Sequence, residues 1–396
     1  MRYTKLGESL ATYLYHEPDL CDLELQIDSL PDNANPAFRA AQPEMLLSIL
    51  LGAHDEPASH IAGLLPLLEQ RMQDENMPPT AVIVSCNAPD GQQNTTPYKD
   101  NIAAIRDFQA QTDTRKGLPV SYFEITYPPG TLQGKRRKDL GDIAMLHAWR
   151  TFSVRNTFPD KMSHMMLDVD TPMISTGSLA RLHRSILRGQ QVVAPRTAHH
   201  KDPAYPNVNR TLVVHDVLYN LMPSAAWDAY VMFDLKTLAD GKGYAADKAM
   251  GEVHETTKRC LRDDQPYIYV DSRTRFVTSS RRIQEQLLAG KENIHACWSS
   301  FSETEAYRTT KASQDITQEH MHKVIAEEIA FGATHGINAM ANHRVHAGMP
   351  APNAFKASLG TFASHLRVAN VLFDLQQKGR SEYDAVQEAA EKYRIV

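Results

Sequence analysis

The 396-residue chain carries 42 Lys and Arg against 47 Asp and Glu, a formal charge of −5, and 42% of it is apolar. That is enough apolar material for a sizeable core, and it excludes fibrous, disordered and disulfide-stapled classes. The balance lacks the basic footprint of a nucleic-acid binder, so no nucleic-acid partner is expected. Cys21, Cys86, Cys260 and Cys297 are widely spaced with no CxxC pair and read as reduced thiols. No run of 18 apolar residues is present, and MRYTKLGESLATYLYHEP lacks the apolar region and cleavage site of a signal peptide. The expectation is a cytoplasmic chain with no transmembrane segment.

In chain order, an amphipathic stretch is followed by the loop LPDNANPAFRAAQP, whose Pro, Asn and Asp content marks a boundary. MLLSILL, residues 45–51, is a continuous apolar run of the kind buried on both faces of a parallel sheet. HDEP closes it, with Asp55 or Glu56 suited to an N-cap and Pro57 to a first helical turn. IAGLLPLLEQRM then has helical spacing, and TAVIVSC, residues 80–86, is a second buried run. The alternation continues through a helix around NIAAIRDFQAQ, a strand in VSYFEITY, a helix from Asp139 through Arg155, and a strand in HMMLDVD. GSLARLHRSILRG predicts a further helix and QVVAPR a further strand.

Alternation at these lengths predicts a doubly wound α/β fold, with ligands at the carboxyl ends of its strands. From about residue 211 the pattern is mixed: a strand near AYVMFD, a helix over DKAMGEVHETTKRCL, a strand at PYIYVDS and a helix entered by TSSRR. Beyond about residue 303 it reads as helical, with TQEHMHKVIAEEIAFGA and EYDAVQEAAEKYR the clearest pieces.

The informative motif is LDVD, residues 167–170, at the end of an apolar strand. Two carboxylates one residue apart on a strand point to the same side, so Asp168 and Asp170 can share one hard divalent cation that keeps positions open for phosphate oxygens. Most DxD pairs are solvated loop or cap residues. Position sets this one apart, because it ends a strand of an α/β unit.

These segments resemble the GT-A glycosyltransferases, in particular the family 2 type group that uses nucleotide sugars. The likeness runs from about Leu46 to Arg282. LLSILLGAHDE resembles the family's opening strand and acidic turn, with Ala53, Asp55 and Glu56 at its end; TAVIVSCNAPDG resembles its second strand, with Asn87 and Asp90 toward the nucleoside. KRRKDLGDIAMLHA is similar to a helix start whose Lys138 and Asp142 would meet diphosphate or sugar, and LDVDTPM to the metal-binding DxD of Asp168 and Asp170. GYAADKAMGE occupies the place of the segment that supplies the base, with Asp247 the first candidate and Glu252 the reserve; the adjacent Glu-Asp pair of the family is absent. VTSSRR resembles a segment whose Arg281 and Arg282 would suit a diphosphate. A downstream histidine, His295 or His254, would complete the metal shell.

The resemblance implies a GT-A fold, Rossmann-like with a mostly parallel sheet flanked by helices and a helical C-terminal extension. Its regions would be an N-terminal segment 1–44, a catalytic domain 45–300 with a nucleotide-sugar half to about 200 and an acceptor half beyond, and a helical region 301–396. It implies transfer of a sugar from a nucleotide-diphosphate sugar to an acceptor hydroxyl, with Mn2+ or Mg2+ on the DxD and a carboxylate base, inverting; a retaining outcome stays open.

Each residue also has a plainer reading. Asp55 and Glu56 suit caps, Asn87 and Asp90 suit a turn before Gly91, Lys138 sits in a solvated KRRK cluster, and Asp247 suits a helix N-terminus. A phosphatase of the HAD type would set Thr two residues beyond its second Asp, whereas Thr171 follows directly. A sugar nucleotidyltransferase would need a Gly-rich loop in place of GAHDEP. A degenerate GT-A domain acting as a non-catalytic scaffold is the remaining alternative. The helical C-terminal region has two roles open, a cover over the site or a homodimer contact.

Overall fold

The structure, a computed structural model, describes residues 4–17, 46–54, 57–89, 96–112, 118, 120–128, 131–153, 158–221, 230–247, 252–261, 268–291, 294 and 315–377. The chain packs as two compact units, residues 1–196 with 226–278, and residues 197–225 with 279–396.

The first unit is built on an eight-stranded sheet of order β3-β2-β1-β4-β7-β6-β8-β5. Strands β1 (Leu47–His54), β2 (Thr80–Pro89), β3 (Val120–Tyr127) and β4 (Ser163–Asp168) are mutually parallel, with Leu47 opposite both Thr80 and Ser163. Strand β7 (Tyr230–Asp234) is antiparallel to β4 and to β6 (Val192–His199), so β6 points the same way as β4. The two-residue β5 (Met173–Ile174) pairs antiparallel with β8 (Tyr269–Thr278). Of β1, β2, β3, β4, β6 and β7, all but β7 therefore share one direction. This is the mixed, mostly parallel α/β sheet flanked by helices that the alternating pattern implies.

Among the described residues this unit has the helices α1 (Lys5–His16), α2 (Ala58–Asp74), α3 (Thr96–Thr112), α4 (Gln133–Ser153), α5 (Ser178–Leu187), α7 (Leu235–Asp240) and α8 (Glu252–Cys260). One face of the sheet presents Leu50, Ile83, Phe123, Met166, Ala194, Val231 and Phe233 to Leu140, Ile143 and Ala144 of α4 and to Leu6 and Leu10 of α1. Each aliphatic side chain so buried is worth about 1.5–3 kcal/mol. Side chains alternate with period two, so these residues also fix which later positions share the α4 face. Along the same face follow Gly52 on β1, Ser85 and Asn87 on β2, Asp168 on β4 and Arg196 on β6.

Several elements run further than the apolar runs predict. Strands β1 and β2 reach three residues past 51 and 86, because the parallel ladder continues as far as His54 opposite Asn87. Helix α4 begins at Gln133, six residues before Asp139. Its basic run therefore lies in the helix, stitched by i,i+4 pairs Lys135–Asp139 at 2.7 Å and Lys138–Asp142 at 2.8 Å. Strand β4 stops at Asp168, which leaves Asp170 in a turn. The loop LPDNANPAFRAAQP and the closing EYDAVQEAAEKYR lie outside the described residues. No described helix is long and apolar enough to cross a membrane.

The second unit is helical, with α6 (Pro206–Tyr219), α9 (Arg281–Leu288), α10 (Gln318–Phe331), α11 (Ile337–His346) and α12 (Ala351–Gln377), and a π-helical turn Gly332–Gly336 between α10 and α11. Val208 and Leu212 of α6 pack with Ile283, Leu287, Met321 and Val324, while Val213 and Leu218 pack with Ile337, Met340 and Phe362. A buried polar network threads it: Asp216 accepts from Lys201 Nζ at 2.6 Å and pairs with His199 Nδ1 at 2.6 Å, and His215 Nδ1 lies 2.8 Å from Glu328 Oε2.

Candidate functional site

The carboxyl edge of β1 and β4 carries Gly52 and Asp168 side by side. Asp168, the last residue of β4, keeps its side chain 39% exposed and accepts at Oδ1 from an Arg137 guanidinium nitrogen at 3.2 Å. Arg137 comes from the second turn of α4 and is itself 10% exposed, so most of its side chain is packed. Beside Asp168 in the register stands Gly52, and a Cβ built there would meet no atom of the described residues within 4 Å. Among these residues the floor next to the carboxylate is open.

A turn, and not strand alternation, brings Asp170 round. Thr171 donates to the Asp168 carbonyl at 2.5 Å, and its hydroxyl lies 3.1 Å from the buried Tyr230 Oη at the start of β7. Burial above all, and then the charges of Asp170 and Asp168, push the Tyr230 phenol far up, so it stays protonated. Both carboxylates therefore lie within electrostatic reach of one buried hydroxyl. Two half-exposed carboxylates on a fixed turn are hard oxygen donors of the type that suits a divalent cation with water or phosphate in its other positions. Among the described residues no group of three or more His, Cys, Asp or Glu is arranged to hold a metal.

Other predicted residues fall in different surroundings. Asn87 is buried on the α4 face of β2 and accepts from Ser85 Oγ at 2.6 Å; Ala53 is buried on the opposite face. Lys138 turns away from Arg137 toward α1. Its Nζ contacts Asp142 Oδ2 at 2.8 Å, Glu17 Oε2 at 2.8 Å and Tyr13 Oη at 2.9 Å. The Asp142 carboxylate, 1% exposed, is also hydrogen-bonded by the Tyr13 hydroxyl. Burial, only partly offset by Lys138, pushes its pKa up to about 7.

Asp247 is exposed in the turn that follows the buried Tyr244. His254 is exposed on α8, whose first residue is Glu252. Arg281 and Arg282 open α9 in the second unit. Asp55, Glu56, Asp90 and His295 lie outside the described residues, as do the side chains of Glu252, Arg281 and Arg282. Tyr244 packs over Gly141 of α4, where an added Cβ would come within 2.6 Å of its ring.

Arg137, Gly52, Thr171 and Tyr230 are the site-forming residues that motif spacing passes over. For Arg137 a signal existed: Lys138 stands four residues before Asp142, the spacing of a helical ion pair, which directs Lys138 away from the neighbouring position. A surface hollow of about 410 Å³ lined by Tyr98, Ile102, Arg106 and Glu124 lies elsewhere, outside β3 and α3.

No family model matches the chain, and no curated protein matches it in sequence. Among solved structures, a mannosyltransferase from Pyrobaculum calidifontis in complex with GDP-Man and Mn2+ is similar over 98% of this chain and 97% of its own, at 14% identity and a TM-score of 0.41. A mycobacterial protein is similar over 64% of this chain and 76% of its own, at 12% identity and a TM-score of 0.33.

Proposed function

We propose that the chain is a glycosyltransferase that takes a sugar from a nucleotide-diphosphate donor at the carboxyl edge of β1 and β4. What supports this is that Asp168 ends β4 beside Gly52 and accepts from Arg137, with Asp170 in the turn that follows. Asp168 and Asp170 would hold Mn2+ or Mg2+, which when bound supplies positive charge to a departing diphosphate.

The protein's own residues prepare that place. Arg137 holds the Asp168 carboxylate in one orientation through a charge-assisted hydrogen bond. Thr171 and Tyr230 hold the turn that carries Asp170. The missing side chain at Gly52 leaves room for the donor against the sheet edge. Asp247, with Glu252 in reserve, would accept the proton of the acceptor hydroxyl as it attacks the anomeric carbon, and a single displacement inverts that centre.

The test is nucleotide release. Purified protein is incubated with Mn2+ or Mg2+ and a panel of nucleotide sugars, and free nucleoside diphosphate and metal-dependent thermal shifts are followed. Slow, metal-dependent hydrolysis of one donor, lost in Asp168→Ala, is expected. No turnover and no metal-dependent shift with any donor would favour the non-catalytic scaffold.

A further inference from the structure

Among the described residues, large apolar side chains that stay exposed stand singly over the first unit, at Tyr15, Leu132, Met173, Leu187 and Tyr269. Scattered residues of this kind are ordinary. In the second unit they are gathered in one place. Val345, Met349, Phe355 and Leu359 are each between 38% and 50% exposed, and all four belong to the hairpin made by α11 and α12.

Local chemistry fixes the shape of this tip. Gly348 takes a left-handed φ of 91°, Met349 N donates to the Arg344 carbonyl at 2.9 Å, and Gly348 N donates to that of Val345 at 2.9 Å, which closes α11. Pro350 then leads into α12, where Ala354 N donates to its carbonyl at 2.9 Å. The Arg344 guanidinium donates to Ser358 Oγ at 3.1 Å and to Thr361 Oγ1 at 2.8 Å, pinning the end of α11 to α12. Ala354, Ser358 and Phe362 are buried, so the other side of α12 faces outward. That side carries the exposed Pro352, Phe355, Leu359 and Ala363 within about 80° of the helix, bordered by the exposed Lys356 and Arg367.

The sequence around the tip has one sign. Between Glu328 and Asp374 there is no Asp or Glu, while Arg344, Lys356 and Arg367 are cationic, in a chain whose net charge is −5. Pairing of this face with a second copy would bring like charges together with no acidic residue of the stretch to offset them. Residues 345–353 are all exposed, so the tip is convex and offers no groove to a peptide. An anionic bilayer surface matches both properties, because its headgroups attract cations and the layer beneath them accepts apolar side chains.

We propose that the α11–α12 tip docks on a bilayer surface bearing anionic phospholipids. Val345, Met349, Phe355 and Leu359 enter the interface, and Lys356 and Arg367 meet the headgroup phosphates. The contact is with the surface alone, since no described helix is long and apolar enough to cross a membrane. It does not depend on the glycosyl-transfer reading.

Sedimentation of the full chain with vesicles tests the proposal. Vesicles of phosphatidylcholine and phosphatidylserine in equal parts should bind the parent about tenfold or more tightly than vesicles of phosphatidylcholine alone, and salt should weaken the binding. Two double variants, Phe355→Ser with Leu359→Ser and Lys356→Glu with Arg367→Glu, should each lose about tenfold or more on the mixed vesicles. Their thermal midpoints should match the parent's, because the altered side chains are exposed. No binding of the parent to the mixed vesicles, or binding unchanged in either double variant, overturns the proposal. Concentration-dependent dimerisation that Phe355→Ser with Leu359→Ser abolishes, in a parent that ignores vesicles, assigns the face to a second copy instead. Binding to polyglutamate without binding to vesicles assigns it to an acidic protein partner, which also overturns the proposal.

Discussion

Arg137 and Lys138 are consecutive residues of α4, roughly 100° apart on the helix, and they enter opposite kinds of surroundings. Lys138 is enclosed with Asp142, Glu17 and Tyr13, where each charge has a partner within 2.9 Å and little contact with water. Arg137 meets a carboxylate that remains 39% exposed, beside a second carboxylate and an open floor. The closed cluster ties α1 to α4, and the carboxyl edge is the more open of the two. Two cations of the same helix turn therefore divide between a closed cluster and the proposed donor edge.

Lys138→Ala probes the closed cluster most severely. At pH 8 it strands the Asp142 and Glu17 carboxylates without their cation, and about 3–5 kcal/mol of stability should be lost in urea unfolding. Metal-dependent nucleotide affinity of the folded protein should hold. Normal stability with lost nucleotide binding would reverse the division between the two residues.

Asp168→Ala and Asp170→Ala probe the open edge. Each should weaken Mn2+-dependent GDP or UDP binding about 100-fold, equivalent to about 2.7 kcal/mol, with stability changed by no more than about 0.5 kcal/mol. Binding equal to the parent's would remove the edge from any nucleotide site.

Gly141→Ala pushes a methyl group into the Tyr244 ring from the α4 side and should cost about 1–3 kcal/mol by denaturant unfolding. A neutral result would mean that α4 and Tyr244 separate freely.

The smallest effect is a pH slope. Asp142 titrates in the folded state at about 7 against an ordinary value of 3.8. Between those values the folded protein holds a proton that the unfolded chain has released, so this group's contribution to stability falls as pH rises through the window. The slope is at most about 1.4 kcal/mol per pH unit. Asp142→Asn removes it, so the difference in unfolding free energy between parent and variant should tilt with pH from 5 to 7. Parallel profiles would contradict the buried, weakly acidic carboxyl.

The α/β alternation was legible in sequence because strands buried on both faces are written as unbroken apolar runs, as in MLLSILL and TAVIVSC. The polar ends of β1 and β2 were not, since Gly52 and Asn87 lie past those runs, carry no apolar signal and are held by the ladder. Asp168 could be placed from its strand, but Asp170 is positioned by Thr171 and Tyr230, a contact spanning 59 residues. Helix α4 hid its own assignment: KRRK looks like a solvated loop until the i,i+4 pairs are counted.

Crystals grown with Mn2+ and GDP, with anomalous scattering recorded for manganese, test the central assignment most directly. One strong anomalous peak is expected between the carboxylates of Asp168 and Asp170, with a phosphate oxygen of GDP on the same ion. Nucleotide bound elsewhere, or a manganese peak remote from both carboxylates, would contradict it.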